Sequence, residues 1–444
     1  MAEPDVLTLA ADLIRIDTTN PGDGTGRERP AAEYVAEKLG EAGIEATLIE
    51  SAPNRANVVA RIEGSDPGRD PILVHGHLDV VPAEAADWSV HPFSGEVRDG
   101  MLWGRGAIDM KGMDAMMLAV VRAWAREGRR PARDVVLAFT ADEEASADHG
   151  STWLVTKHAD LFEGVTEGIS ESGGYTFHAT RFAASAEERA SAGAVRLYPV
   201  SAGERGTAWL RLTARGRAGH GSRINGDNAV AALAGAVHRL AEYEWPVRLT
   251  PTVRASLESI GAALGVPVDL TGDVDVDRLM QRFGSARELV EAVLRNSTNP
   301  TILSAGYKVN VIPETATALV DGRVVPEARE EFEATVASLI GPAVSWEYEH
   351  SEVALSADPA SPTFTAMADA LLAEDPGAHV VPVCMAGGTD AKQFSRLGIT
   401  GYGFSPLRLP PDLDYSALFH GVDERVPVDA LEFGVRVLDR FLTT

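Results

Sequence analysis

Five residues spread along the chain have the types and local settings that hold metal ions: His77, Asp109, Glu144, Glu171 and His420. In HGHLD, residues two apart share one face of a strand, so His75, His77 and Asp79 project together from the end of ILVHGHLDVV. A metal-binding histidine needs a partner on its other ring nitrogen, and Asp79 is placed to serve His77 in this way. Asp109 stands in the glycine-bounded turn of WGRGAIDMKG, where alone it reads as a helix N-cap. Glu143 and Glu144 directly follow the apolar run DVVLAFTA, and adjacent acids repel unless a cation or a proton relieves them. Glu171 closes another apolar run, and His420 precedes the last helix. Each position alone has an ordinary explanation as a capping or solvated group. Together they are two imidazoles and three carboxylates, most of them at predicted strand ends, where α/β sheets gather their active sites.

Charge counting favours two ions over one. Two Zn²⁺ carry four positive charges, against which Asp109, Glu144 and Glu171 set three negative ones and a bridging hydroxide the fourth. With Asp109 shared, each ion receives one histidine, one further carboxylate, the shared aspartate and the hydroxide, the N and O set that zinc favours, with Co²⁺ or Mn²⁺ as substitutes. Glu143 is then left free as a general base.

These residues need elements to carry them. The stretches 6–16 and 29–42 read as amphipathic helices, and β-rich runs then alternate with helical ones, including a long apolar helix over 110–125. Strands alternating with helices predict an α/β domain around a largely parallel sheet. After Ser201 the order becomes strand, helix, two strands, helix, strand, the ferredoxin-like pattern. The reading is therefore a catalytic domain in two parts, 1–203 and 353–444, with a second domain at 204–352 that carries an extra helical or irregular insertion at about 247–299. A length of 444 residues fits two cores better than one.

Composition excludes several classes. A formal charge of -25 repels polyanions, and the short basic run 126–133 is broken by Glu127 and Pro131, so nucleic acid is not an expected partner. No eighteen apolar residues run together and the start lacks a signal-peptide pattern, so no membrane association and a cytoplasmic protein are expected. The single cysteine, Cys384, rules out an intrachain disulfide and a thiolate zinc cluster, and no paired histidine motif makes it a nucleophile.

The motifs RIDTTNP, HGHLDVVP, WGRGAIDMKG, TADEEAS, SESGG, GRAGHGS, NVIPE, GGTDA and FHGVDERV occur in one order along nearly the whole chain. In this the sequence resembles the co-catalytic zinc hydrolases that include aminoacylase, succinyl-diaminopimelate desuccinylase, acetylornithine deacetylase and glutamate carboxypeptidase. The resemblance implies a catalytic domain with a central mixed sheet and an inserted α+β ferredoxin-like lid through which two chains dimerise. It further implies His77 and His420 as terminal ligands, Asp109 as the bridge, Glu144 and Glu171 as carboxylate ligands, Asp79 as the orienter of His77 and Glu143 as the base. His220 would reach an active site, often the neighbouring subunit's, to stabilise the oxyanion. Arg323, Asn310, Gly388 and Thr389 would hold a substrate carboxylate. The insertion at 247–299 is longer than the compact family lid needs. The expected reaction is cleavage of the amide or peptide bond of a small N-acyl amino acid or peptide. The alternatives are a dipeptidase or carboxypeptidase of the same family, and a non-catalytic metal-binding protein on the same fold, whose sign would be loss of a ligand or of the base.

Overall fold

The strand that carries His77, Ile72–His77, is apolar up to the histidines and buried at every position. Such a strand belongs in the middle of a sheet covered on both faces, and the computed structural model, which describes residues 3–180, 194–272 and 274–444, puts it there. It lies parallel to Val135–Thr140 on one side and to Glu167–Ser170 on the other. Arg55–Ile62 and Ala46–Ala52 extend the sheet antiparallel beyond Val135–Thr140, while Thr400–Gly403 and Ala194–Glu204 extend it on the other side. His379–Met385 and Phe177–Thr180 both pair with the long Ala194–Glu204 strand, so the sheet is mixed and ten-stranded.

Alternation along Ile72–His77 divides the core. Ile72 and Val74 face the helices Glu3–Arg15, Lys111–Glu127 and Val428–Thr443, whereas Leu73 faces the short helices Ser151–Lys157 and Ala391–Phe394. The Lys111–Glu127 helix runs so close to the sheet that a Cβ on Gly76 would collide with the Asp114 carboxylate. Only glycine fits between the two histidines of HGH.

The chain leaves this sheet at Glu204, and the next strand to rejoin it, Leu355–Ser356, pairs with the same stretch. Between them a four-stranded antiparallel sheet runs in the spatial order Ser297–Ala305, Thr315–Val324, Gly206–Arg215, Val344–Ser351. The helices Ala229–Ala241 and Arg329–Ile340 pack on one face of it around their own core, in which Trp245 stacks on Phe332. This is the ferredoxin-like order.

The segment expected as an insertion in that second unit packs elsewhere. The helices Pro251–Leu264 and Val276–Phe283 and the turns after them share a core with Leu197, Val381, Val383 and Cys384 of the large sheet. Their apolar faces find there the strands His379–Met385 and Ala194–Glu204, which the sheet leaves uncovered on that side. Among the described residues no helix is long and apolar enough to cross a membrane.

Candidate functional site

The ends of three parallel strands and two loops converge on one point. His77 is the last residue of its strand, Glu143 and Glu144 follow Val135–Thr140, and Glu171 follows Glu167–Ser170. The Gly104–Met110 turn delivers Asp109, and the loop before Arg425–Pro427 delivers His420. Asp142, Ser172 and His420 all have positive φ, at 69°, 68° and 55°. Left-handed backbone at non-glycine residues costs of order 1–3 kcal/mol each and clusters at functional sites.

Asp109 sits between the two imidazoles. Its Oδ1 lies 3.0 Å from His77 Nε2 and its Oδ2 lies 3.2 Å from His420 Nε2. Glu171 Oε1 is 3.8 Å from His77 Nε2, and Glu144 Oε2 is 3.2 Å from His420 Nε2. Two half-sites thus share one aspartate, and Glu143 stands beside them with its Oε2 3.9 Å from His77 Nε2. His75, on the same strand face as His77, packs against the Phe394 ring instead.

The electrostatics of the cluster ask for positive charge. Burial would drive the His77 imidazolium down, but Asp109, Glu171 and Glu143 override it and hold the ring well above its usual value. Hydrogen bonding to Asp109 and then Glu144 lifts His420 to about 10. Burial raises Glu144 and pushes Glu143 and Glu171 well up, with the neighbouring carboxylates adding to it. Asp109 goes the other way: the two imidazoles overcome its burial and lower it. Glu144 Oε1 is buried with no hydrogen-bond partner. Four crowded carboxylates, two imidazole nitrogens and an orphaned oxygen fit divalent cations with N and O preference. His77, Asp109 and Glu144 offer ligand atoms close enough to hold an ion, and so do His77, Glu143 and Glu171.

Asp79 does a different job from the one its spacing suggested. His77 Nδ1 lies 3.0 Å from the Asp79 main-chain carbonyl oxygen, and the nearer carboxylate oxygen is 3.6 Å away. That carboxylate instead accepts the main-chain N–H groups of Glu143 and Glu144, each at 3.1 Å, and the Asn20 side-chain amide at 2.9 Å. Asp79 therefore fixes His77 through its backbone and the glutamate loop through its side chain. Asn20 also donates to Asp142, whose carboxylate is held by Arg55, itself paired with Glu28. A second buried acid fixes Asp109: Glu424 accepts the N–H groups of Gly106, Ile108 and Asp109 and pairs with Arg105 at 2.7 Å, while Arg105 also donates to the His420 carbonyl. Asn20 and Glu424 lie inside RIDTTNP and FHGVDERV, yet nothing in their local spacing announces these partners.

The residues expected to bind substrate divide into two groups. Arg323, Gly388 and Thr389 line one cleft of about 210 Å³ together with Glu143. Asp321 holds the Arg323 guanidinium through contacts of 2.8 and 3.2 Å, and Thr389 donates from its hydroxyl and its N–H to the buried Glu204. His220 and Asn310 are not in that cleft. They are exposed on a two-stranded ribbon, where the Gly221 N–H donates to the Asn310 carbonyl and His220 Nδ1 lies 2.8 Å from Ser222 Oγ.

Comparison with known proteins places this arrangement. The profile of peptidase family M20/M25/M40 matches residues 73–444. Human N-fatty-acyl-amino acid synthase/hydrolase PM20D1 is 30% identical over 397 residues, 85% of this chain and 74% of that protein. Human aminoacylase-1 is 28% identical over 448 residues, covering 98% of this chain and 94% of its own. Among solved structures, the M20 family metallo-carboxypeptidase Sso-CP2 from Sulfolobus solfataricus matches with a TM-score of 0.70 at 18% identity, over 99% of this chain and 98% of that one.

Proposed function

We propose, on the premise that this chain belongs to peptidase family M20/M25/M40 and is a metallo-hydrolase, that it cleaves the amide bond of small N-acyl amino acids. The observation that carries the reading is Asp109 with one oxygen on each imidazole, at 3.0 and 3.2 Å, and a glutamate beside each histidine. His77 and Glu171 would hold one zinc ion, His420 and Glu144 the other, with Asp109 between them. Bound there, the pair would supply Lewis acidity toward the scissile carbonyl and the attacking water.

The protein's own groups do the rest. Glu143 lies beside His77 and Glu171, 3.9 Å from His77 Nε2, and in this reading it is kept from coordination to take the proton of the attacking water and pass it to the leaving amine. Asp79 and Glu424 hold the two ligand loops at fixed geometry. Arg323 and Gly388, in the cleft that Glu143 shares, bind the substrate carboxylate and so put the amine end of the substrate next to the base, while Thr389 anchors that loop to Glu204. His220 supplies an oxyanion donor when the small sheet folds over its own site or when a second chain presents it, which gives the protein a working homodimer.

Zinc-loaded protein assayed against N-acetyl amino acids, N-succinyl amino acids, dipeptides and carbamoyl compounds tests the reading. Release of free amino acid from the N-acyl series with two zinc per chain is expected. Cleavage of dipeptides alone would move the function to the peptidase side of the family, and one zinc per chain with full activity would remove Asp109 as a bridge.

A further inference from the structure

A second cavity, of about 200 Å³, reaches the chain on both sides of the ligand loops through Ser172 and Phe419. It shares no lining residue with the cleft that contains Glu143 and Arg323. Its walls include Ser172 and Phe419, the chain neighbours of Glu171 and His420, so it opens beside the reacting centre. Apart from Glu288 the rest of the lining is largely apolar, with Val383 and Cys384 from the large sheet and Leu289 and Val293 from the segment that follows the extra helices. Tyr175, Tyr415 and Phe419 pack in series at this edge, the first pair tilted at 4.8 Å between ring centroids and the second edge to face at 5.1 Å.

We propose that this cavity is the acyl-group pocket, and that it takes an uncharged apolar acyl chain or ring of about six carbons. Its orientation follows from the proton path. The leaving amine must lie near Glu143, which lines the separate cleft with the carboxylate-binding groups, so the acyl half is left to the cavity whose walls adjoin Glu171 and His420 in the chain. Its size follows from volume. It is slightly larger than the ~150 Å³ apolar cavity that accepts benzene and smaller than the roughly 300–1,000 Å³ pockets that enclose drug-sized ligands. The extra segment thereby acquires a role, since Leu289 and Val293 complete a wall that the large sheet alone leaves open. This inference rests on the N-acyl amino acid reading.

The test compares N-acetyl and N-hexanoyl forms of one amino acid. Each buried methylene is worth roughly fourfold, so with four more methylenes kcat/KM for the hexanoyl compound should exceed that for the acetyl compound by up to about 250-fold. Ala292 lines the cavity at an exposed position, so Ala292→Phe adds bulk there without entering the core. That variant should bring the hexanoyl to acetyl ratio toward one, and Leu289→Trp should do the same from the adjoining turn. Equal kcat/KM for both compounds in the unaltered enzyme would overturn the pocket while leaving the hydrolase reading in place. If neither compound is cleaved, the N-acyl amino acid reading fails, and binding to Glu143→Gln protein decides the pocket separately. A Kd that falls with chain length and loses that dependence in Ala292→Phe supports it; a flat series overturns it.

Discussion

The carboxylate cluster of the large sheet and the His220 ribbon of the small one are built on opposite principles. In the cluster, ligand loops are held by buried partners from distant sequence: Asp79 grips the Glu143–Glu144 loop and Glu424 grips the Asp109 turn. On the ribbon, His220 touches Ser222 two residues on, and Asn310 meets the neighbouring strand through its backbone. The first region is preorganised within one chain, as electrostatic catalysis requires. The second is free to meet a surface that the chain alone does not bring to it. The difference separates residues whose polar partners are complete within the folded chain from residues that the folded chain leaves exposed.

The sharpest way to break that comparison is at Glu143. Glu143→Gln should retain the metal and lose on the order of 10²- to 10⁴-fold in turnover, the span of general acid–base catalysis. Metal content by emission spectroscopy together with kcat checks it, and loss of metal along with activity would make Glu143 a ligand.

His220→Ala follows, with a loss of roughly 10²- to 10³-fold for one oxyanion donor and no change in metal content. Mixing inactive His220→Ala protein with inactive Glu143→Ala protein then separates the two routes to the site. Recovered activity after subunit exchange places His220 across a dimer. No recovery places it on its own chain. Unchanged turnover in the single variant would leave the histidine a solvated turn residue and erase the contrast between the regions.

Asp79→Asn comes third. The asparagine keeps the backbone contact to His77 but replaces a carboxylate that accepts two main-chain N–H groups, so zinc affinity should fall roughly 10- to 100-fold, as for other groups that orient ligands. Competition with a chromogenic chelator reads it. An unchanged affinity would show that the glutamate loop holds its shape without Asp79.

What was legible in the sequence follows the same division. His77, Glu143, Glu144 and Glu171 could be read because each ends an apolar strand, and strand-end placement is a local property. The ferredoxin-like order could be read because period-two and helical runs alternate cleanly along residues 204–352. The job of the Asp79 side chain could not, since spacing within HGHLD points to His77 while the hydrogen-bond donors it meets lie 59 to 65 residues away. The same holds for Glu424, whose partners sit over three hundred residues upstream. The extra helices lie within the small unit's stretch of sequence, but their apolar faces are complementary to strands of the large sheet that come before and after them. The spacing pattern cannot show which of two cores will cover an amphipathic helix.

The junction between the regions gives the smallest effect and the cleanest sign. Glu204 ends the long Ala194–Glu204 strand of the large sheet and accepts two hydrogen bonds from Thr389, and burial raises its carboxyl from 4.5 to about 7 despite them. A raised carboxyl means the folded chain holds a proton that the unfolded chain has already released. Its contribution to stability is therefore fully present below about 4.5 and is lost as pH climbs through about 7. Glu204→Gln removes that titration while keeping an acceptor for the Thr389 N–H and an amide that can donate to its hydroxyl. The variant and the parent should melt together near pH 5, and the variant should melt a few degrees higher at pH 8, where the parent carries a buried charge. Differential scanning calorimetry across that range measures the gap. A gap that stays constant with pH would mean that Glu204 is already ionised in the folded chain at pH 5, with Lys392, whose charge lowers its pKa, balancing it across the junction.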